Sequence, residues 1–138
     1  MGAIAPNPQT AKRARVTTER TVMVVDDDGA LLNALTFGME VEGYRVLPFA
    51  SAEAVLDLRD LPDVACMVVD HRLPRMDGLY LIEVLRVRGF TAPAILMTSH
   101  PGPVLRARCG SLGAPIVEKP LLREELFVAI RAAIAEKL

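Results

Sequence analysis

Short apolar runs alternate with longer amphipathic stretches along this chain, from residue 21 to its end. The runs are mostly valine, isoleucine, leucine and alanine with few polar interruptions, which is typical of strands that are buried on both faces. They are Thr21–Val25, Tyr44–Phe49, the run from Val64 to Val69, Ala94–Met97 and Ile116-Val117. The pattern therefore predicts five short strands.

The stretch after each run has apolar residues at helical spacing. Asp28 and Ser51 can cap the first two helices, the second running to about Asp60, and Pro103 suits the first turn of the fourth. Helix ends are expected at Gly43, Gly89, Gly110 and Gly113. The residues expected to face the core are Leu31, Leu32, Leu35, Phe37, Met39 and Val41; Ala54, Val55 and Leu58; Leu79, Ile82, Leu85 and Val87; and, in a last helix from about Leu122, Leu126, Ala129, Ile130, Ala133 and Ile134.

The strict alternation of strand and helix predicts an α/β fold, with a five-stranded parallel sheet and helices on both of its faces. Because crossovers between parallel strands are right-handed, all strands point the same way and their C-terminal ends share one edge. Five polar residues follow strands at that edge: Asp26, Asp27, Asp70, Thr98 and Lys119. Open α/β sheets bind ligands at this edge, so we expect the functional site there.

Asp70 is the most informative of these residues. It ends the apolar run that begins at Val64, and Pro74 and the pair Asp77-Gly78 then mark a loop. Aspartate often does no more than begin a turn, and we interpret Asp77 in that way. For Asp70 the acidic pair after the first strand, together with the polar residues after the fourth and fifth, favours a chemical role.

Composition narrows the class of protein. The length of 138 residues suggests about one domain, and no apolar run approaches the roughly 20 residues of a membrane span. Two cysteines without paired or metal-type spacing, and the lack of a signal peptide, predict a cytoplasmic location; Cys66 is interpreted as a small buried hydrophobe. We expect residues 1–20, with a net charge of +3 against −4 for the remainder, to be a flexible tail and residues 21–138 to be the domain.

Four motifs together resemble the receiver domain of two-component response regulators. They are Val24-Val25-Asp26-Asp27; Asp70 with Leu73-Pro74 and Met76-Asp77-Gly78; Thr98-Ser99; and Lys119-Pro120. The resemblance covers residues 21–138 nearly end to end. It implies a flavodoxin-like sheet with strand order 2-1-3-4-5.

The resemblance also implies a reaction. Asp70 would accept a phosphoryl group from a sensor histidine kinase or a histidine phosphotransfer protein. Mg²⁺ would be bound by Asp27 and Asp70 directly, by Asp26 through water, and by the main-chain carbonyl of Arg72. The remaining family roles are a hydroxyl donor at Thr98 and a positive charge at Lys119, both directed at the phosphoryl oxygens.

Three further positions lie near this predicted site. His71 is expected at its rim, and His100 lies where family members tune the lifetime of the phosphate. Ile116 lies where many of them carry an aromatic switch residue, which an aliphatic side chain cannot replace. We therefore expect activation to move the loop Pro101–Pro103 and the helix after it, with little movement at Ile116.

We expect a signalling switch rather than an enzyme with turnover, acting on an unknown output protein and with a homodimer as a further option. The chain ends with the last predicted helix, so we expect no DNA-binding domain and either a stand-alone receiver or a fragment. One alternative is a Mg²⁺-dependent aspartyl-phosphate phosphatase, although Arg72 lies where such enzymes usually carry an acid. The other is a degenerate receiver that acts without phosphorylation, which the intact acidic residues disfavour.

Overall fold

Five parallel strands form the centre of the protein. They are β1 (Thr21–Val25), β2 (Arg45–Phe49), β3 (Cys66–Asp70), β4 (Ala94–Thr98) and β5 (Ile116–Glu118). In the computed structural model, which describes residues 20–121 and 123–137, their order across the sheet is β2-β1-β3-β4-β5. Every neighbouring pair is parallel, so the predicted fold class and strand order are confirmed.

Helices cover both faces of this sheet. They are α1 (Gly29–Val41), α2 (Ala52–Leu56), α3 (Gly78–Val87), α4 (Pro103–Leu112) and α5 (Arg123–Lys137). One apolar cluster joins the sheet to α2, α3 and α4, and a second joins its other face to α1 and α5. Among the described residues, none of these helices is both long and apolar enough to cross a bilayer.

The central strands explain why their sequences carry no polar interruption. All five residues of each of β1, β3 and β4 are buried, and successive side chains enter opposite clusters. Met23 and Val25, for example, lie on the α2, α3 and α4 side, whereas Val22 and Val24 lie on the α1 and α5 side. The edge strands β2 and β5 are less buried.

The predicted helix starts are confirmed at Asp28, Ser51 and Pro103. Asp28 accepts a hydrogen bond from the amide of Leu31, and Ser51 does the same from Ala54, each at 3.1 Å. Pro103 is the first residue of α4.

Two helix ends differ from the prediction. Helix α2 stops at Leu56 rather than near Asp60, and the Arg88 guanidinium donates to the carbonyl oxygens of Leu56 and Leu58, at 3.2 and 3.1 Å. These carbonyls are therefore satisfied without further helical turns. Helix α4 continues through Gly110 and ends only at Gly113, whose φ of 65° is in the left-handed region.

Four apolar residues expected in the core face solvent instead. Phe37, Val41 and Val87 are 70%, 61% and 89% exposed. Each lies two positions from a buried residue of its own helix, Met39 or Leu85, and two positions in an α-helix correspond to a rotation of about 200°. These side chains therefore point away from the sheet. Ala54 is exposed for a similar reason, and α2 buries Ala52 with Val55.

Helix α5 buries a slightly different face from the one predicted. Leu126, Ile130 and Ala133 are buried as expected, whereas Ala129 and Ile134 are half-buried and Phe127 is buried in addition. The packing of α5 against β3, β4 and β5 thus uses a wider apolar stripe than the strict helical spacing indicated.

Arg20, the last residue of the predicted tail, contacts the domain. Its guanidinium donates to the carbonyl oxygens of Glu42 and Gly43, at 2.9 and 3.0 Å, and lies 4.4 Å from the ring centroid of Tyr44. Residues 1–19 lie outside the described residues, so the predicted flexibility of the tail stays a prediction.

Both cysteines are buried and unpaired. Cys66 lies within β3 and is buried, in agreement with its interpretation as a small hydrophobe. Burial raises the pKa of its thiol to about 12. Cys109 lies in α4, and burial raises the pKa of its thiol as well.

Candidate functional site

The register of the sheet brings the C-terminal ends of four strands together. Asp26 directly follows β1, and its amide donates to the carbonyl oxygen of Phe49 at 3.1 Å. Asp70 ends β3, opposite Met97, and Thr98 ends β4. The amide of Lys119 donates to the carbonyl oxygen of Thr98 at 2.8 Å, which fixes the residue after β5 at the same edge.

Three carboxylates form a cluster at this edge. Asp26, Asp27 and Asp70 each offer an oxygen, and these oxygens lie within 4.8 Å of one another. Asp26 is fully buried and Asp70 is 5% exposed, whereas Asp27 is exposed and leaves the cluster open to solvent. An all-oxygen ligand set with access to water fits Mg²⁺, which keeps several water ligands in proteins. Arg72, two residues beyond Asp70, has an exposed side chain, and the role of its main-chain carbonyl stays a prediction.

Lys119 lies between two of the carboxylates. Its Nζ is 3.0 Å from Oδ1 of Asp70 and 3.4 Å from Oδ2 of Asp26. Burial by itself would lower the pKa of Lys119, but the hydrogen bond and negative charge of Asp70, followed by those of Asp26, outweigh it and raise the pKa. The ammonium group is therefore charged at neutral pH and close enough to act on any group attached to Asp70.

Asp26 is held in an unfavourable environment for a negative charge. Burial raises the pKa of its carboxyl group, and the charge of Asp70 raises it further. The amide of Asp28, which donates to Oδ1 at 2.9 Å, and the ammonium of Lys119 oppose this effect without cancelling it. The cluster thus carries more negative charge than one lysine neutralises, and a divalent cation would relieve the excess.

Thr98 is 2% exposed, and two histidines contact its hydroxyl group. The amide of His100 donates to Oγ1 at 3.3 Å, and Nδ1 of His71 lies 3.4 Å from the same oxygen. The sequence indicated only a rim position for His71. The strand register explains the contact: Asp70 pairs with Met97, so the next residues, His71 and Thr98, are also side by side.

Gly78 fixes the distance between α3 and β3. The residue before it, Asp77, is the N-cap of α3 and accepts a hydrogen bond from the amide of Tyr80 at 2.7 Å. Asp77 therefore does more than begin a turn. A side chain at Gly78 would collide with the main-chain oxygen of Asp70 and lie 2.8 Å from Val69 Cγ1. The glycine is therefore required for close approach to the phosphoacceptor candidate, a role that the Asp-Gly pair alone did not reveal.

Comparison with known proteins identifies the family. The family model of the response regulator receiver domain matches residues 22–131. The chain belongs to this family. The predicted resemblance is thereby confirmed, and neither alternative function gains support from these comparisons.

Two relatives of the chain are transcriptional regulatory proteins. The chain is 32% identical over 122 residues to the transcriptional regulatory protein FixJ of Bradyrhizobium diazoefficiens, covering 88% of this chain and 60% of that protein. It is 37% identical over 114 residues to FixJ of Azorhizobium caulinodans, covering 82% and 54%. The chain thus spans only 60% and 54% of the length of these two relatives.

A solved structure supports the fold. The receiver domain of the Francisella response regulator 1452 superposes with a TM-score of 0.79, covering 86% of this chain and 99% of that one. Its sequence identity is 20%, so the likeness concerns the fold alone.

Proposed function

We propose that this receiver is a phosphorylation-dependent switch in which Asp70 takes a phosphoryl group from a phosphohistidine of a sensor kinase or a histidine phosphotransfer protein. The observation that carries the proposal is the cluster of three carboxylates with Lys119 between two of them. These groups would supply a nucleophile, a cation site and a positive charge together at the open edge of the sheet.

The transfer would exchange one bond to phosphorus for another. A carboxylate oxygen of Asp70 forms a bond to phosphorus, the bond from phosphorus to the histidine nitrogen breaks, and that nitrogen keeps the electron pair. Asp26, Asp27 and Asp70, with the carbonyl of Arg72, would hold Mg²⁺, which supplies positive charge for the phosphoryl oxygens when bound. Lys119, now 3.0 Å from Asp70, would follow the negative charge onto the phosphoryl group.

The result would be a change of state rather than turnover. The phosphoryl group adds negative charge and acceptor oxygens next to Thr98, whose hydroxyl can donate to one of them. That contact would favour one of two arrangements of the loop after β4 and of α4, and an output protein would recognise the difference. We place this exchange in the cytoplasm, where a sensor kinase would present its phosphohistidine.

The experiment is phosphorylation by a small donor such as acetyl phosphate with Mg²⁺, followed by intact mass. The wild-type protein should gain one phosphoryl group, and Asp70→Asn should gain none. Asp28→Asn is the matched control, because asparagine caps a helix as well as aspartate does and Asp28 lies outside the cluster. Full phosphorylation of Asp70→Asn would overturn the proposal.

A further inference from the structure

The hydroxyl of Thr98 already has partners in the unphosphorylated protein. Its oxygen accepts from the amide of His100, which uses one lone pair and leaves the hydroxyl proton free. The nearest ring nitrogen, Nδ1 of His71 at 3.4 Å, can accept that proton when the ring carries its own proton on Nε2. The contact thus occupies the proton that a phosphoryl oxygen would need.

His71 is firmly positioned for this contact. Its amide donates to the carbonyl oxygen of Met97, and its carbonyl accepts from the amide of Gly78, both at 2.8 Å. These bonds extend the β3–β4 ladder by one residue and tie it to the start of α3. The ring therefore lies beside Thr98 because the backbone is held on both sides.

The ring of His71 also has room to leave. His71 lines a cleft of about 370 Å³ that the first turn of α4, including Pro103 and Val104, also lines. Val104 is 75% exposed, so the cleft is open to solvent. A ring released by Thr98 can thus turn towards α4 without displacing the core.

We propose that His71 is a positioning residue that holds the Thr98 hydroxyl in the unphosphorylated state and competes with the phosphoryl group for it. The inference rests on the proposed function, because it assumes that Thr98 donates to a group on Asp70. His71 therefore raises the threshold for activation. On phosphorylation the ring would be released from Thr98 and would move into the cleft beside α4, which couples the site to that helix.

The test measures the affinity for beryllofluoride, a phosphoryl mimic, in saturating Mg²⁺. His71→Leu should bind it roughly two- to fivefold more tightly, because one modest hydrogen bond no longer competes for Thr98. His71→Asn should behave like the wild type, since its amide can accept the same proton. In a Thr98→Val background, which keeps the shape and removes the hydroxyl, His71→Leu should change nothing.

A second measurement uses the free protein. The ¹⁵N shift of His71 Nδ1 should differ between wild type and Thr98→Val, because the ring loses a hydrogen-bond partner. Thermal melts identify any variant that fails to fold, and His71→Met then replaces His71→Leu.

The outcomes separate the two proposals. A wild-type protein that does not bind beryllofluoride with Mg²⁺ would overturn the proposed function and the competition that depends on it. Normal binding with equal affinities for wild type and His71→Leu would overturn this inference alone. Tighter binding by His71→Leu that persists without the Thr98 hydroxyl would also overturn the inference and leave the proposed function intact.

Discussion

The sheet edge formed by the C-terminal ends of the strands has two halves that are built differently. The central half consists of the ends of β1 and β3, where Asp26 and Asp70 are buried and joined through Lys119. The outer half consists of β5 and α4. Strand β5 has only three residues, of which only Val117 is buried, and only two residues of α4 are buried.

This difference suggests that the central half holds the reacting groups and that the conformational change occurs in the outer half. Local opening costs least where few apolar contacts and many exposed backbone groups are present, and the outer half fits that description. The central half is packed on both faces and can hold reacting groups in place. We therefore expect phosphorylation to leave β1 and β3 unchanged and to move α4 and the loop before it, and the changes below test this separation.

The largest effect should come from Gly78→Ala, which affects the central half. Its methyl group would collide with the main-chain oxygen of Asp70, so β3 or α3 must shift, at a cost of about 1–3 kcal/mol of unfolding free energy. Phosphorylation by acetyl phosphate should fall with it, as intact mass would show.

Gly110→Ala is the control in the outer half. Among the described residues, no atom lies within 4 Å of a methyl group at Gly110, apart from its own neighbours and helix backbone. Alanine should therefore stabilise α4 by about 0.5–1 kcal/mol in denaturant unfolding. Equal losses in both variants would contradict the contrast between the two halves.

Lys119→Met should have the next largest effect. It leaves two buried carboxylates without their shared cation, so the free energy of unfolding in EDTA should fall by about 1–3 kcal/mol. Mg²⁺ should restore more stability to this variant than to the wild type, because it replaces the missing charge. Thermal melts with and without millimolar Mg²⁺ measure both effects; an Mg²⁺ response no larger than that of the wild type would count against a cation site at these carboxylates.

Asp26→Asn should produce a smaller change of opposite sign. The pKa of Asp26 is raised in the folded protein, so ionisation of this carboxyl group destabilises the fold. The wild type therefore keeps this stability at low pH and loses it as pH rises through the raised pKa. Without metal at pH 7 the variant should melt about 2–4 °C higher. Its advantage should vanish below roughly pH 4, the ordinary range of carboxyl groups. An advantage that is independent of pH would point to packing instead.

The smallest effect should be at Ile116. Its side chain is half-buried against the cluster of α2, α3 and α4. The burial of isoleucine contributes a similar free energy with and without a phosphoryl group, so Ile116 does little to shift the balance between the two states. Beryllofluoride should therefore shift backbone NMR signals of residues 98–112 and leave residues 115–117 nearly still. The reverse distribution would show that β5 itself carries the change.

The sequence predicted the arrangement of the fold because its signals are local and periodic. Buried runs, helix caps and right-handed crossovers lead directly to one edge that carries Asp26, Asp27, Asp70, Thr98 and Lys119. The structure does place the three carboxylates together and Lys119 between two of them.

The contacts that were not predicted depend on packing between elements. Three contacts of this kind are the fit of Gly78 against Asp70, the contact of His71 with Thr98 and the Arg88 hydrogen bonds at the end of α2. Each joins residues from different elements or loops. Spacing within one helix or strand carries no information on such distances. The prediction was wrong at Phe37 and Val87 for a simpler reason, since apolar residues two positions apart cannot share a helix face.

The burial of both cysteines has a practical consequence for watching this protein change state. Thiol-reactive dyes need an accessible thiolate, and Cys66 and Cys109 are 0% and 2% exposed with raised pKa values. A single cysteine introduced at Val104, which is 75% exposed beside the cleft, would therefore take up a fluorophore selectively in the otherwise native chain. The emission of that label would report in real time on the surroundings of α4 while a phosphodonor is added.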